Sequence, residues 1–362
     1  MRPRTTLAIS FAAFLVASVP HPVAAQFYEQ RNIVSDGAIA ADRVDPNLVN
    51  AWGLTASATS PWWISDNGTG MSTILRGTGA EARPPVVVPG SPTGTVFNGS
   101  SGFVITNGTI SAPSVFLFVT EEGQIWGWNP TVLPSTEARL ALDNSGSSAV
   151  YKGLTIATTT DGTFLYATNF RAGTVEMYDE SFQPVGNGFQ DPTLPPGYAP
   201  FGIQHIGGVI YVTYALQDDA KKDDVAGPGH GFINAFDTSG TLLRRVASRE
   251  TLNSPWGIAL APDDFGAFSN KLLVGNFGDG AIHAFDPTKF RRDGEYQNRG
   301  PLHSADGRPI AIDGLWALRF GNGGAAGRSN VLFFTAGPFG EAHGLFGSLT
   351  PVTPQAKRPG RR

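Results

Sequence analysis

The chain of 362 residues contains no cysteine, so no disulfide can hold it together. A core of that size needs no such staple. Charge is sparse as well: 15% of residues are charged, the formal net charge is −4, and the two signs are well mixed. No basic stripe exists that could neutralise phosphates, which excludes nucleic acid as the partner. Beyond the N-terminus no apolar stretch approaches the roughly 18 residues of a membrane helix. Neither a Gly-x-Ser-x-Gly elbow nor an HExxH helix occurs, so the common hydrolase and zinc-protease signatures are missing. What the chain does have is turn chemistry. Its 45 glycines and 27 prolines stand beside 41% hydrophobic residues, a balance that fits many turns in a packed fold and not disorder.

The first 25 residues read as a processing segment. Arg2 and Arg4 precede an apolar run over 7–19, and Val23-Ala24-Ala25 offers small residues to a signal peptidase. Cleavage after Ala25 is expected. An exported, cysteine-free chain points to a bacterial source, with the protein in the periplasm or outside the cell.

The rest is organised around residues 254–287, SPWGIALAPDDFGAFSNKLLVGNFGDGAIHAFDP. Three short strands alternate there, punctuated by Gly, Asp and Pro, in the manner of an antiparallel meander. The unit recurs. Trp316 begins a copy that aligns with Trp256 without a gap as far as Asn330, and Trp52-Gly53, Lys152-Gly153 and Phe201-Gly202 open others. Unit starts near 52, 103, 153, 202, 257 and 317 predict six blades of an all-β, six-bladed β-propeller built of four-stranded antiparallel sheets. Length alone would suggest more than one domain, but the repeat argues for a single one over 26–351, followed by a basic tail at 352–362 expected to be disordered. The last blade has only three strands of its own, so residues 27–36 are expected to supply its fourth and close the ring. Gly53, Gly153, Gly202 and Gly257 are read as points of close backbone approach. Trp52, Phe201, Trp256 and Trp316 are read as wedges between neighbouring sheets, and Asp179, Asp237 and Asp286 as caps of their own turns.

Residues 255–286 resemble an NHL-type blade. The segments YEQRNIVSD (28–36), DPNLVNAWGL (45–54), FNGSS (97–101) and GLFG (344–347) resemble more closely a family of secreted bacterial six-bladed propellers, some of which end in a PEP-CTERM sorting signal. The chain lacks the Pro-Glu-Pro motif and the terminal apolar helix of that signal. The resemblance implies a fold and an address, and no reaction.

If strands run outward from the axis, the loop before each inner strand and the turn between second and third strands share one face. That places Asn50, Asn67, Asn169, Asn253, Asn276 and Asp313 at one channel mouth, with the long 217–230 connection (QDDAKKDDVAGPGH) and its His230. Oxygens converging on an axis suit Ca²⁺, with Asn169 and Asn276 as ligand candidates, or a polar ligand; Asn and Asp also serve simply as turn residues. The 217–230 loop lacks the glycine and distal glutamate of an EF-hand. It reads as a solvated flap or, more sharply, a lid over the mouth. Residues 321–327 miss the dinucleotide-binding spacing and precede a strand, not a helix.

Without a catalytic signature, the favoured expectation is a binding or interaction module, monomeric, whose partner is a protein, a glycan or a small molecule. The alternative is a metal-dependent hydrolase or lactonase of the calcium-propeller kind, in which a cation on Asn169 and Asn276 would polarise a carbonyl and activate water. A third is a structural envelope protein that associates through blade edges.

Overall fold

A computed structural model describes residues 27–186 and 188–352. The expected leader and, but for Val352, the expected tail lie outside the described residues. Six antiparallel sheets succeed one another along the chain and form a β-propeller. Within each blade the polypeptide starts at the axis and works outward. Blade one runs Ala51–Thr55, Trp62–Asp66, Met71–Leu75, Glu81–Val87, and blade four runs Tyr198–Ile206, Val209–Leu216, Phe232–Phe236, Leu242–Ser248.

Burial follows the same gradient. Second strands such as Trp62–Asp66 and Phe116–Thr120 are buried throughout, because neighbouring blades cover both of their faces, while the outer strand Arg139–Asp143 is half-buried to exposed. This is why FLFVT carries aromatic and β-branched side chains without polar alternation.

The ring closes as expected. Phe27–Ser35 lies antiparallel to Leu345–Val352, with Phe27 opposite Val352 and Ser35 opposite Leu345. It becomes the fourth strand of blade six, outside Leu345–Val352, Leu332–Ala336 and Leu315–Phe320. Tyr28 rivets it: the ring is fully buried and stacks on Phe265 at 4.7 Å, and its hydroxyl donates to the Phe265 carbonyl at 2.9 Å. The hydroxyl group is held far above its ordinary pKa by that burial.

Two expectations need correction. The inner strand of blade two is Pro92–Phe97, not the segment at 103–106; Val104–Thr106 instead pairs with Ser111–Pro113 in a side hairpin. PTGTVF reads as a turn because it carries Pro, Gly and two Thr. It survives as a strand because it pairs on one side with Phe116–Thr120 and packs against neighbouring blades. Among the described residues blade three has three strands, its fourth reduced to one bridge between Tyr178 and Pro184. Blade five completes its fourth strand, Tyr296–Pro301, in the stretch before blade six.

The glycine reading holds, with blade two adding Gly94. A Cβ on Gly53 would lie 2.4 Å from the Thr93 carbonyl oxygen, on Gly94 2.4 Å from the Leu154 amide, on Gly202 2.1 Å and on Gly257 2.4 Å from the carbonyl oxygens of Trp256 and Trp316. Five of the six inner strands thus abut the next blade's backbone where a side chain would intrude, blade six carrying Ala317 there instead. Threonines on second strands tie the same joints: Thr168 donates to the Phe201 carbonyl, and Thr335 to the Trp52 carbonyl across the closure. Asp179, Asp237 and Asp286 cap their turns, accepting from backbone amides two residues on at 2.8–3.0 Å.

Candidate functional site at the channel mouth

The residue before each contact glycine, or before Ala317 in blade six, occupies the same place at the top of its inner strand. The column around the axis reads Trp52, Thr93, Lys152, Phe201, Trp256, Trp316. The aromatic members do not wedge between sheets as expected. They meet one another across the axis: Trp52 stacks on Trp316 at 3.5 Å between centroids, and Trp256 stands edge-on to both at 6.2 and 5.8 Å. Phe277 stacks on Trp316 at 4.0 Å, and Phe170 reaches Phe201 at 5.2 Å. Side chains from five blades can touch only at the axis, so this cluster plugs the channel.

Lys152 is the one charged member of the column, and its residue is 1% exposed. Its ammonium group sits 5.0 Å from the centre of the Trp52 ring, a cation–π contact. It is clasped by Glu121, from the second-to-third turn of blade two, and by Asp223 at 3.1 Å, from the 217–230 loop of blade four. Burial alone would lower its pKa; the two carboxylates outweigh burial and hold it above the usual lysine value. Lys222 adds a looser contact to Glu121 at 3.9 Å.

The expected rim residues fall into three groups. Asn50 donates to Asn67 at 3.1 Å and to Glu341 at 2.7 Å, and accepts from the Trp316 indole at 3.1 Å; Asn67 in turn donates to Glu121 at 3.4 Å. This group is continuous with Lys152. Asn253 and Asn276 both donate to Asp279, at 3.3 and 3.1 Å, and Asn253 accepts from the Gly227 amide at 2.7 Å. Asn169 belongs to a buried network below the rim. It donates to Glu176 at 2.7 Å, and Glu176 also accepts from the Tyr151 and Tyr178 hydroxyls. Asp313 is exposed and accepts from the Phe339 amide at 2.8 Å, while His230 bonds the Val225 carbonyl at 2.8 Å inside its own loop. Of these candidates only Asn50 has left-handed backbone, φ +48°.

The 217–230 loop is a tied roof. Gln217 donates to the Phe170 carbonyl at 2.6 Å, Asp218 and Asp223 share a backbone bond of 2.9 Å, and Gly227 reaches Asn253. It joins the blade-one group to the blade-five group through Lys152. Two mouth carboxyls have raised pKa values. Burial pushes Asp224 up, against the pull of Ser254 and Lys152; burial likewise pushes Glu341 up, against Asn50 and Lys152, with Glu121 and Asp223 adding to the rise.

Glu121, Glu341 and Lys152 escaped the sequence reading. Glu121 and Glu341 sit in second-to-third connections, the rule that selected Asn67 and Asn276, and a lysine in an otherwise largely aromatic column was itself a signal.

The donor set does not fit Ca²⁺, which takes 6–8 oxygens. Asn169 is fully engaged, accepting two backbone amides at 3.2 Å besides donating to Glu176. Asn276 leaves one buried oxygen without a donor. Among the described residues no group of three or more His, Cys, Asp or Glu is arranged to hold a metal ion.

No family model matches the chain. It is 32% identical over 330 residues to uncharacterized protein R648 of Acanthamoeba polyphaga mimivirus, covering 88% of this chain and 78% of that one. The chain belongs to the family of R648. Protein L690 of the same virus, 33% identical over 301 residues with 79% and 77% coverage, is a second member-like relative. These relatives are viral, whereas the sequence resemblance pointed to bacteria. Among solved structures, a Bacteroides thetaiotaomicron protein of unknown function matches with a TM-score of 0.52 at 10% identity, over 89% of this chain and 76% of that one. That likeness shows the fold alone.

Proposed function

We propose that this R648-family propeller is a ligand-binding module whose site is the roofed channel mouth. The observation that carries the reading is the buried Lys152 ammonium held between a wall carboxylate, Glu121, and a roof carboxylate, Asp223. A charge placed in a core at such cost serves function more readily than stability. Four mouth carboxyls, Glu121, Asp223, Asp224 and Glu341, face two ammonium groups, Lys152 and Lys222. The excess of acceptors selects a small polar molecule rich in donors, such as an amine or an amino sugar. The plug beneath keeps such a ligand at the mouth and out of the channel.

Calorimetric titration with putrescine and with glucosamine tests this. Binding by the wild type that weakens about tenfold or more in Glu341→Gln is expected, since a hydrogen bond to a charged group is worth about 1.5–3 kcal/mol. Equal heats from wild type and variant, or none from either probe, overturn the reading. Burial raises Asp224 and Glu341 in the free protein and a bound cation opposes that rise, so binding is expected to strengthen as the pH rises through their titration. The hydrolase alternative rests on the lone Asn276 oxygen; a melting temperature unmoved by Ca²⁺ or EDTA discards it. Export, with removal of residues 1–25, is part of the proposal, and N-terminal sequencing of protein from the producing cell checks it.

A further inference from the structure

The roof over the mouth is anchored at its ends, whereas its tip is almost free. The anchors are Gln217, Gly227 and Gly229. Gln217 donates to the Phe170 carbonyl at 2.6 Å, and the Gly227 and Gly229 amides donate to the Asn253 side chain and the Leu252 carbonyl at 2.7 and 2.9 Å. An antiparallel bridge between Gln217 and Asp224 closes the hairpin at the base of residues 218–223. Among the described residues the backbone beyond that bridge bonds only to its own tip. The Asp218 amide donates to the Asp223 carbonyl at 2.9 Å and the Lys221 amide to the Asp218 carbonyl at 3.0 Å, while the Asp218 carboxylate accepts from the Lys222 and Asp223 amides at 2.8 and 3.3 Å. The tip is thus a folded unit, with Lys221 in left-handed backbone at its turn (φ +53°). Its sequence, DDAKKD, offers no apolar anchor but Ala220, which is exposed. Among the described residues two side chains join it to the walls, Asp223 to Lys152 and Lys222 to Glu121, and these are 60% and 48% exposed. Exposed ion pairs are weak, and segments with few buried contacts open first.

We propose that residues 218–223 are a gate over the mouth, hinged at the Gln217–Asp224 bridge and latched by the Lys152 ammonium. The inference rests on the ligand-binding reading of the mouth and says how a ligand reaches it. With the gate down, Asp223 sits on the Lys152 ammonium at 3.1 Å, and the side chains of Glu121 and Lys152 are only 12% and 1% exposed. Lifting the tip exchanges two screened ion pairs for water and leaves the hinge bridge, the anchors and the tip's own bonds in place. Asp218 is the positioning residue of the latch: by accepting from the Lys222 and Asp223 amides it fixes the turn from which both side chains reach the wall. Salt weakens both latch contacts, so the gate opens as ionic strength rises.

The chain has no cysteine, so nitroxide labels on Asp219→Cys in the tip and on Gly146→Cys report the gate alone. Gly146 lies in the loop between blades two and three, where an added Cβ meets no atom within 4 Å. Pulsed electron paramagnetic resonance measures the distance between the labels. At low salt one distance is expected to dominate, with a second, longer one minor. At about 1 M sodium chloride, where charges are screened beyond about 3 Å, the ratio of long to short is expected to rise several-fold. Asp223→Asn, which leaves the tip's backbone bonds intact, is expected to show the raised ratio already at low salt and to lose most of the salt response. A distribution that salt leaves unchanged, or one that Asp223→Asn leaves unchanged, overturns the proposal, as does a spread equally broad in every condition. Should the variant fail to fold, the salt series on the labelled protein with its native latch decides. No ligand enters the measurement, so failure of the gate is told apart from failure of the calorimetric titration.

Discussion

Lys152→Met should separate a structural salt bridge from a costly functional charge. Methionine keeps the length of the apolar stem and removes the ammonium that lies over Trp52, so the change is chiefly one of charge. The variant strands two carboxylates. Asp223 has a side chain 60% exposed, so water takes over and its share is about 0–1 kcal/mol. Glu121 is only 12% exposed and bears the main penalty. That penalty has a ceiling, because the carboxylate can take up a proton instead. Protonating a glutamate of ordinary pKa about 4.3 at about pH 7 costs about 3.7 kcal/mol, and at about pH 5 about 1 kcal/mol. A loss of about 3 kcal/mol is therefore expected near neutrality, within the range for breaking buried pairs. The sign follows: the stranded carboxyl has a raised pKa, so the variant's deficit shrinks as the pH falls toward about 5. Equilibrium urea unfolding at both pH values measures it, with Glu121→Gln and the double variant completing a cycle. A deficit independent of pH, or single-variant losses that simply add, would refute the reasoning.

Other outcomes follow from the same geometry. Tyr28→Ala should destabilise by about 3–5 kcal/mol and Tyr28→Phe by about 1 kcal/mol in urea unfolding, because the first empties a buried ring site at the closure and the second removes one hydrogen bond. Gly202→Ala should cost about 3 kcal/mol or more, its methyl meeting the Trp256 carbonyl at 2.1 Å, whereas Gly146→Ala, with no atom within 4 Å, should be nearly neutral. Asp191 resists the upward push of burial through hydrogen bonds from Thr193, Arg245 and Asn234, which bring it down to about 2. Its stabilisation is present above the unfolded value of 3.8 and is lost as pH falls through about 2, so acid titration of Asp191→Asn should show a flatter limb over that window.

How much of this was legible without coordinates depends on the range of the interaction. Strand alternation, Asp-capped turns and glycine before close contacts act over a few residues, so the propeller, its six blades and the role of Gly202 could be read directly. The inner strand Pro92–Phe97 could not, since its composition argues locally for a turn and only pairing with Phe116–Thr120 makes it a strand. Position along the blade put Asn50, Asn67, Asn253 and Asn276 together at one mouth; the structure divides them, joining Asn50 to Asn67 and bringing Asn253 and Asn276 onto Asp279. It placed Asn169 at the rim, where the tyrosines and Glu176 in fact draw it into a buried network.

By itself the sequence determined the repeat, the number of blades and the closing strand, because backbone pairing and turn chemistry are encoded within each unit of some 50 residues. Only the tertiary structure decided what stands at the axis. The stacking of Trp52 on Trp316, the clasp of Glu121 and Asp223 on Lys152, and the hydrogen bond from Arg319 to the Leu54 carbonyl all join residues from different blades. Their distances are set by closing the ring, and no local pattern carries that information.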